Sequence, residues 1–502
     1  MNYDVIVVGS GNSGLISAIT LLNDKRKVLL LDSNNNIGGF NKGVVSGRFE
    51  FETSIHNLYF KDSDKVKNSL NEILNKCSIK DNVKFSTLNE VCKIVTPDKT
   101  FTIPFGIDNY IKMVEELVPG SEESLNTFFE LAKECREALD YVVHNKDYLD
   151  YEHIKDYYNN FMRVSPYSVS KVLDAIGMPL AVQEIINALW IYFGSTETEI
   201  SFVEYVVFLL NVIEYGLQVP DERSYGVSMM LANNFLERGG EIRLNSKVVN
   251  LILDDDKVNG VRLVDGTIYY ADKVIVNSSL TNVYTKLIKA EDVPRAAIKN
   301  IQRRELGYKL FSVHLGLNRS VEELGLDKYT YILYSGLDSD AESTKMEQFY
   351  PDNQFVVVHN NGVKDISPAG TSMITLNTMF MVDCFSDVVG EENYYNLVQN
   401  MAFELIRRFE KKLEVSIKEY IEEIKIVTPL DNIKVGDYPD GSVFGYKLKG
   451  HDNLLPRILN NPNEQYIKGL YVCGGFDGDI YGYSSSLVSG LTTGMEAKKG
   501  DK

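Results

Sequence analysis

The stretch YDVIVVGSGNSGLISAITLLND, residues 3–24, decides the fold. It opens with a short β-branched run, and three glycines at G-x-G-x-x-G spacing follow, namely Gly9, Gly11 and Gly14. The apolar residues after Gly14 recur at helical spacing. Strand, glycine turn and helix is the order that a nucleotide-binding βαβ unit requires. The next apolar run ends in Asp32, eighteen residues beyond Gly14, and completes that unit.

Each part of this motif suits a dinucleotide. The first glycine permits a tight turn, the second lets a pyrophosphate approach the backbone, and the third lets helix and strand pack closely. Free N–H groups at the helix start then meet the phosphates. Asp32 would accept hydrogen bonds from the adenosine ribose, which predicts FAD or NAD rather than NADP. The alternative, a glycine turn without a ligand, is disfavoured because strand, helix and acid all stand at the right distance.

Composition excludes several classes of function. The chain has 502 residues, 44% of them hydrophobic and 24% charged, which is typical of a globular protein of two to four domains. There are 52 basic and 70 acidic residues, a net charge of −18. Such a surface repels phosphate backbones and anionic lipid headgroups, so we expect neither nucleic-acid binding nor a polybasic membrane anchor.

Cysteine usage and the N-terminus indicate the compartment. The cysteines are scattered and show no C-x-x-C pair, so we expect no disulfide framework and no metal site. They are Cys77, Cys92, Cys135, Cys384 and Cys473. No basic region precedes the first apolar run, and no apolar run reaches the roughly 18 residues of a membrane span. We expect a soluble protein of the cytoplasm.

The pattern along the chain predicts three domains. Helical spacing dominates from about 109 to 236, short strands follow to Asn277, and the terminal GLYVCGG and YSSSLVSGLTTGMEAKKG repeat strand, glycine turn and helix. The predicted domains are a discontinuous FAD-binding domain (1–100, 236–295 and 441–502), a helical insertion lining the substrate site (101–235) and a mixed α+β substrate domain (296–440).

Several stretches carry a more specific resemblance. They are VIVVGSGNSGLISAITL, LDSNNNIGGF, FEFETSIHNL and GLYVCGGFDGDIYGYSSSLVSGL. In this order they resemble the FAD-dependent phytoene desaturase, carotenoid isomerase and retinol saturase group. The resemblance implies an α/β fold: a FAD-binding Rossmann-like domain of the two-dinucleotide, glutathione-reductase-like type, with a discontinuous α+β substrate domain and a helical insertion.

The resemblance also implies an activity. Members of the group are FAD-dependent oxidoreductases that act on CH–CH groups. Hydride transfer to or from the flavin would desaturate, saturate or isomerise a carbon–carbon bond of an apolar or amphipathic substrate. An external electron partner is implied, and NAD(P)H, oxygen and a quinone all remain open. Peripheral membrane contact through an apolar channel mouth also remains open.

The resemblance assigns twelve residues to the cofactor. They are Gly9, Gly11 and Gly14 for the pyrophosphate, Asp32 for the ribose, Gly38 and Gly39 beneath the flavin and its linker, Val248 for adenine through its main chain, Gly474 and Gly475 for the ribityl chain, and Ser485, Ser486 and Leu487 where a helix would begin at the pyrimidine edge. We expect one dinucleotide site, because no second G-x-G-x-x-G occurs between residues 236 and 300.

Three residues are catalytic candidates. His56 could exchange a proton near neutral pH, although a structural histidine is an equal alternative. Tyr481 and Tyr483 flank the turn beside the expected flavin, where a phenol could donate a proton or simply pack. Aromatic residues at 190–215 could line an apolar channel, with helical core as the alternative. They are Trp190, Tyr192, Phe193, Tyr205, Phe208 and Tyr215.

One departure from the family pattern bears on the substrate. The Pro-x-Gly-Gly of the family appears here as Pro220 to Gly226 with four polar residues between, among them Asp221, Glu222 and Arg223. This insert suggests a substrate with a polar end, such as a carboxylate held by Arg223. The alternative is a solvated loop, because charged side chains are usually exposed.

Two other functions share this framework. An FAD-dependent amine oxidase would differ mainly in an aromatic cage around the substrate nitrogen. A carrier without enzymatic activity, resembling the GDP dissociation inhibitors, would need no flavin. Gly14, Asp32 and the C-terminal glycine turn speak against the carrier.

Overall fold

The computed structural model describes residues 2–22, 26–52, 70–79, 83–347, 355–360, 366–381, 394–436, 438–443, 445–447, 466–475 and 482–499. In chain order the strands are β1 Val5–Val8, β2 Val28–Leu31, β3 Gly43–Ser46, β4 Phe49–Glu52, β5 Phe85–Thr87, β6 Cys92–Val95, β7 Thr100–Ile103, β8 Gln218–Pro220, β9 Glu241–Arg243, β10 Val248–Asp254, β11 Lys257–Leu263, β12 Ile268–Tyr270, β13 Lys273–Val276, β14 Lys309–Leu317, β15 Thr330–Leu333, β16 Val356–Asn360, β17 Ser372–Phe380, β18 Ile421–Val427 and β19 Leu470–Val472.

The α-helices of the same residues are α1 Asn12–Leu22, α2 Leu70–Lys76, α3 Ile107–Leu117, α4 Glu122–Asn145, α5 Tyr151–Tyr157, α6 Asn159–Val164, α7 Val169–Ala175, α8 Leu180–Ile186, α9 Phe202–Tyr215, α10 Arg223–Glu237, α11 Leu280–Asn282, α12 Arg295–Arg303, α13 Ser339–Lys345, α14 Tyr394–Leu413, α15 Pro429–Gly436 and α16 Gly482–Lys499. Among these helices, none is both long enough and apolar enough to cross a membrane.

The first of two large sheets, here the parallel sheet, carries the glycine motif. Its described strands run in the order β19-β13-β1-β2-β9, and all neighbours are parallel. Alternate residues of β1 face opposite sides: Val5 and Val7 pack with α1, α10 and α16, whereas Ile6 packs toward β10–β12. A sheet covered on both faces explains why these strands read as continuous apolar runs. The α/β fold class is confirmed.

The second large sheet, here the mixed sheet, has the described order β18-β14-β17-β16-β15-β6-β7. Its neighbours are antiparallel except β15 and β6, which run parallel. One face packs against α14. The other face packs against the helices between α3 and α9. The mixed sheet therefore lies between the helical insertion and α14.

The structure differs from the sequence-based segmentation at three places. Strand β6, which was assigned to the FAD-binding domain, and β7, which begins at the predicted boundary with the helical insertion, both join the mixed sheet. Helix α10 packs on α1, although most of it was assigned to the insertion. The run from Thr267 to Asn277 forms two strands in different sheets rather than one. For β6, α10 and β13 the decisive partner lies far away in sequence. The division into three domains stays a proposal, with boundaries adjusted accordingly.

Candidate functional site

A cavity of about 420 Å³ opens at the carboxyl ends of the parallel strands. Val8, Leu31 and Val276, the last residues of β1, β2 and β13, line it, and Cys473 follows β19. In open α/β sheets, ligands bind at this edge because the loops leaving the strands diverge there. The glycine motif, which continues β1, therefore borders the cavity directly.

The glycine turn has room for backbone only. Gly9 has φ +100°, which favours glycine. A Cβ atom on Gly11 would lie 2.4 Å from the Asn277 Oδ1 atom, and one on Gly14 would lie 2.1 Å from the Gly9 carbonyl oxygen. Both distances are shorter than any real carbon contact. The second glycine turn is equally tight, because a Cβ on Gly474 would lie 2.4 Å from the Asn277 Nδ2 atom.

Asn277 connects these two turns, and the sequence analysis missed its role. Its backbone N–H donates to the Val8 carbonyl at 2.7 Å, and its side-chain Nδ2 donates to the Cys473 carbonyl at 3.0 Å. The side chain thus ties the turn after β1 to the turn after β19. The only signal in the sequence was its position directly after a predicted strand, in the cluster Asn277-Ser278-Ser279.

Asp32 lies at the cavity wall with a side chain that already has several donors. One carboxylate oxygen accepts from Ser10, from the backbone N–H at 2.8 Å and the hydroxyl at 2.5 Å. The other oxygen accepts from Asn34, from the backbone N–H at 2.8 Å and the side-chain Nδ2 at 3.0 Å. Asp32 is 6% exposed. The carboxylate therefore organises the phosphate turn as well as facing the cavity, and its bond to ribose stays a prediction.

Most of the predicted cofactor residues meet at this one cavity. Those that line it are Gly9, Gly11, Asp32, Gly38, Gly39, Val248, Gly474, Gly475 and Ser486. Gly14, Ser485 and Leu487 are buried in the two flanking helices, α1 and α16. The predicted helix start near Ser485 is wrong by three residues, since α16 begins at Gly482. The individual contacts with the cofactor remain predictions.

Helices α1 and α16 cross closely at this cavity. The Ser13 hydroxyl donates to the Ser486 carbonyl at 2.7 Å, and the Ser17 hydroxyl donates to the Gly490 carbonyl at 2.8 Å. A Cβ on Gly490 would lie 2.5 Å from the Ser13 carbonyl oxygen, so a small residue is required there. This crossing fixes the N-terminal ends of both helices at the cavity. Helix N-termini stabilise negative charge, which suits a pyrophosphate.

The sequence analysis also did not identify three lysines that line the cavity. Lys247, Lys286 and Lys434 come from three separate parts of the chain, and all three are exposed. Among the described lining residues, Asp32 is the one carboxylate. The cavity edge is thus positive, although the chain as a whole is strongly negative. This charge distribution fits an anionic dinucleotide such as FAD.

Of the three catalytic candidates, Tyr483 lies in the described part of the chain, whereas His56 and Tyr481 lie outside it. Tyr483 lines the cavity. Burial raises the pKa of its phenol well above the ordinary value, and the charge of Glu52 raises it further. The hydroxyl therefore stays protonated at neutral pH. Glu52 is itself 8% exposed and accepts from the Ser224 backbone N–H at 2.6 Å.

Arg223 does not offer a free charge for a substrate carboxylate. Its guanidinium forms an ion pair with Glu50 and donates to the Ile366 carbonyl at 2.8 Å. Asp221, two residues earlier, accepts from the Ser86 hydroxyl at 2.6 Å. The expectation that Arg223 anchors an acidic substrate is wrong, because the insert is held by the β3–β4 hairpin and β5 instead.

Part of the aromatic cluster is core. Trp190 is 2% exposed and Tyr205 is fully buried, with its hydroxyl donating to the Ile186 carbonyl at 2.6 Å. Tyr192 and Phe193 are half-buried and pack against Phe208, with ring centroids 5.8 Å and 4.9 Å away. Trp190 and Tyr205 therefore belong to the helical core, and Tyr192 and Phe193 remain the candidates for a channel wall.

Comparison with known proteins identifies the family and the fold. Residues 12–365 match the profile of the family described as flavin containing amine oxidoreductase. The cyclohexylamine oxidase of Brevibacterium oxydans has a similar structure, with a TM-score of 0.62, 11% identity and 100% coverage of both chains. This likeness confirms the α/β fold predicted from the sequence.

Curated relatives match over almost the whole chain. An all-trans-retinol 13,14-reductase of Danio rerio is 23% identical, covering 98% of this chain and 85% of the relative. A 4,4'-diapophytoene desaturase of Methylomonas sp is 22% identical, covering 94% and 90%. Prolycopene isomerase 2 of an Oncidium hybrid cultivar is 24% identical, covering 94% and 80%.

Proposed function

Because the chain belongs to the flavin containing amine oxidoreductase family, we propose that it is an FAD-dependent oxidoreductase acting on carbon–carbon bonds of an apolar or amphipathic substrate. The observation that carries this proposal is the set of relatives matching 94–98% of the chain, each named for a reaction of a polyene. The reaction would be desaturation, saturation or isomerisation.

The chain's own residues have three tasks in this proposal. The turns around Asn277 hold the pyrophosphate, Asp32 orients the ribose, and the backbone of Val248 meets adenine. When bound, FAD supplies hydride acceptance or donation at carbon. Leu310 and Val443, which line the cavity from the mixed-sheet side, keep water from the reacting carbon. Tyr483, which lines the cavity, would offer its hydroxyl as a proton donor or as a contact for the substrate.

The proposal extends to partners and compartment. The substrate is a small molecule, and we expect no nucleic-acid binding, since a net charge of −18 repels phosphate backbones. Electrons would pass to or from NAD(P)H, oxygen or a quinone, with nicotinamide bound only transiently because one dinucleotide turn is present. A cytoplasmic location is part of the proposal, since Cys77, Cys92 and Cys135 are buried free thiols in the described part of the chain.

Anaerobic turnover of the purified protein tests the proposal. A polyene should change the flavin absorbance and yield a product differing by one carbon–carbon double bond or by its geometry. Oxidation of amines with release of peroxide would replace the proposal by an amine oxidase. A colourless preparation that binds no FAD would favour a carrier without enzymatic activity.

A further inference from the structure

Buried polar side chains share one face of the mixed sheet. His314 on β14 stands opposite Thr375 on β17, Thr375 opposite His359 on β16, and His359 opposite Thr330 on β15. Directly opposed residues of an antiparallel ladder lie on the same face. Ser312 and Asn377 form a second opposed pair on this face, two residues along β14 and β17. We call these six residues the polar row.

The polar row is buried but incompletely hydrogen-bonded. Its members are 0–6% exposed. The His314 Nδ1 atom lies 3.0 Å from the Thr375 hydroxyl, and the Ser312 hydroxyl donates to Asn377 Oδ1 at 2.6 Å. The His314 Nε2 atom and the Thr330 hydroxyl have no hydrogen-bond partner in the described part of the chain. Buried polar groups normally have partners, so these two indicate a missing ligand or ordered water.

The polar row begins beside the cofactor cavity. Leu310 lines that cavity and, by the alternation of β14, lies on the same face as Ser312 and His314. Two residues along a strand span about 7 Å, so Ser312 is the next side chain inward from the cavity wall. Phe51 stacks on the His314 ring at 5.5 Å, which covers the far end with an apolar surface.

The charges around the polar row favour an uncharged ligand. Burial lowers the pKa of His314 to about 3, and the charge of Lys425, opposite it on β18, acts in the same direction. The imidazole is therefore neutral at physiological pH. Near the other end, burial raises the pKa of Tyr329 and the charge of Glu52 raises it further; the Tyr329 ring lies 5.9 Å from His359. A carboxylate would be repelled there, whereas a bare hydrocarbon would leave the polar atoms unsatisfied.

We propose that the polar row binds an uncharged oxygen-containing group, a hydroxyl or a carbonyl, at one end of an otherwise apolar substrate. The inference rests on the proposed function and narrows its substrate class. It replaces the carboxylate expected at Arg223 with a neutral group held inside the mixed sheet.

Binding of matched ligands to the oxidised holoenzyme tests the inference. The probes are all-trans-retinol and the hydrocarbon in which a methyl group replaces its hydroxymethyl group, each titrated by the change in flavin absorbance. Asn377→Leu and His314→Phe remove hydrogen bonding at similar volume. Thr378→Val is the matched control, because Thr378 lies on the opposite face of β17 and its hydroxyl donates to the Phe355 carbonyl at 3.0 Å. Flavin content and melting temperature show whether each variant folds. If only one of the two row variants folds, that variant alone is enough for the test.

Wild type should bind the alcohol about tenfold more tightly than the hydrocarbon, since one net hydrogen bond is worth about a factor of ten. Each row variant should lose that preference without changing hydrocarbon affinity, and the control should keep it. The inference is overturned if wild type binds both ligands equally, or if a row variant loses the same affinity for both. Turnover of a polyene by wild type would still support the proposed function in either case. A flavin-loaded protein that binds neither polyene overturns both.

Discussion

Asp32→Ala should destabilise the protein before FAD binds, because the Asp32 carboxylate organises its own surroundings. The substitution leaves the Ser10 backbone N–H, buried and 2.8 Å from the carboxylate, without an acceptor. That loss costs about 1–3 kcal/mol. The two contacts with Asn34 are local and partly exposed, and add roughly 1 kcal/mol. The free energy of unfolding of the apoprotein should therefore fall by about 2–4 kcal/mol.

The same substitution should weaken FAD binding separately. Loss of a charge-assisted bond to the ribose costs about 1.5–3 kcal/mol, which is roughly a 10- to 150-fold rise in Kd. Urea unfolding of the apoprotein measures the first effect, and FAD titration under native conditions measures the second. Ser10→Ala is the matched control, since it removes one hydroxyl contact and leaves the carboxylate in place. Apoprotein stability within about 0.5 kcal/mol of wild type would refute the turn-organising role, and unchanged FAD affinity would refute the ribose contact.

Four further substitutions have defined outcomes. Gly14→Ala should lower the flavin content of purified protein at least tenfold, because its Cβ would lie 2.1 Å from a carbonyl oxygen of the turn; full occupancy would contradict this. Tyr483→Phe should lower kcat at unchanged flavin content if the buried phenol donates a proton, and full turnover would remove that role. Arg223→Ala should lower Tm through loss of the Glu50 ion pair, and a raised KM for acidic substrates with unchanged Tm would restore the anchor. Glu197 has a pKa raised from 4.5 to about 7 by burial and nearby acids. The folded state therefore keeps a proton that the unfolded state loses, and wild-type stability should decline from about pH 4.5 to pH 7; Glu197→Gln should reduce that slope, as pH-dependent melting would show.

The cofactor side of the molecule could be predicted from sequence because its signals are local. The β1–α1 unit is encoded by a β-branched run, three glycines and helical spacing within 20 residues, and Asp32 follows at a fixed distance. At Gly14 even the steric need for glycine is local, because a Cβ there would meet the carbonyl oxygen of Gly9 in the same turn. The fold class and FAD followed from this segment and from the family resemblance, and both are confirmed.

The remaining features depended on contacts between distant segments. Asn277 acts because the turn after β1 and the turn after β19, which lie at opposite ends of the chain, converge on its side chain. Arg223 looked like a free charge in sequence, but Glu50 lies beside it in space. The sequence of β6 does not predict that it joins the mixed sheet beside β15, because a short apolar strand can pair with any suitable sheet edge.

The polar row shows most clearly the difference between what local sequence determines and what long-range contacts decide. Each strand alone is a buried run in which single polar residues carry no pattern, and only the register of β14, β16 and β17 places His314, Thr375 and His359 side by side. The sequence therefore determined which segments could fold and which cofactor they could hold. Strand register and long-range packing decided which side chains face one another, because those contacts depend on the free energy of the whole packed core rather than on neighbouring residues.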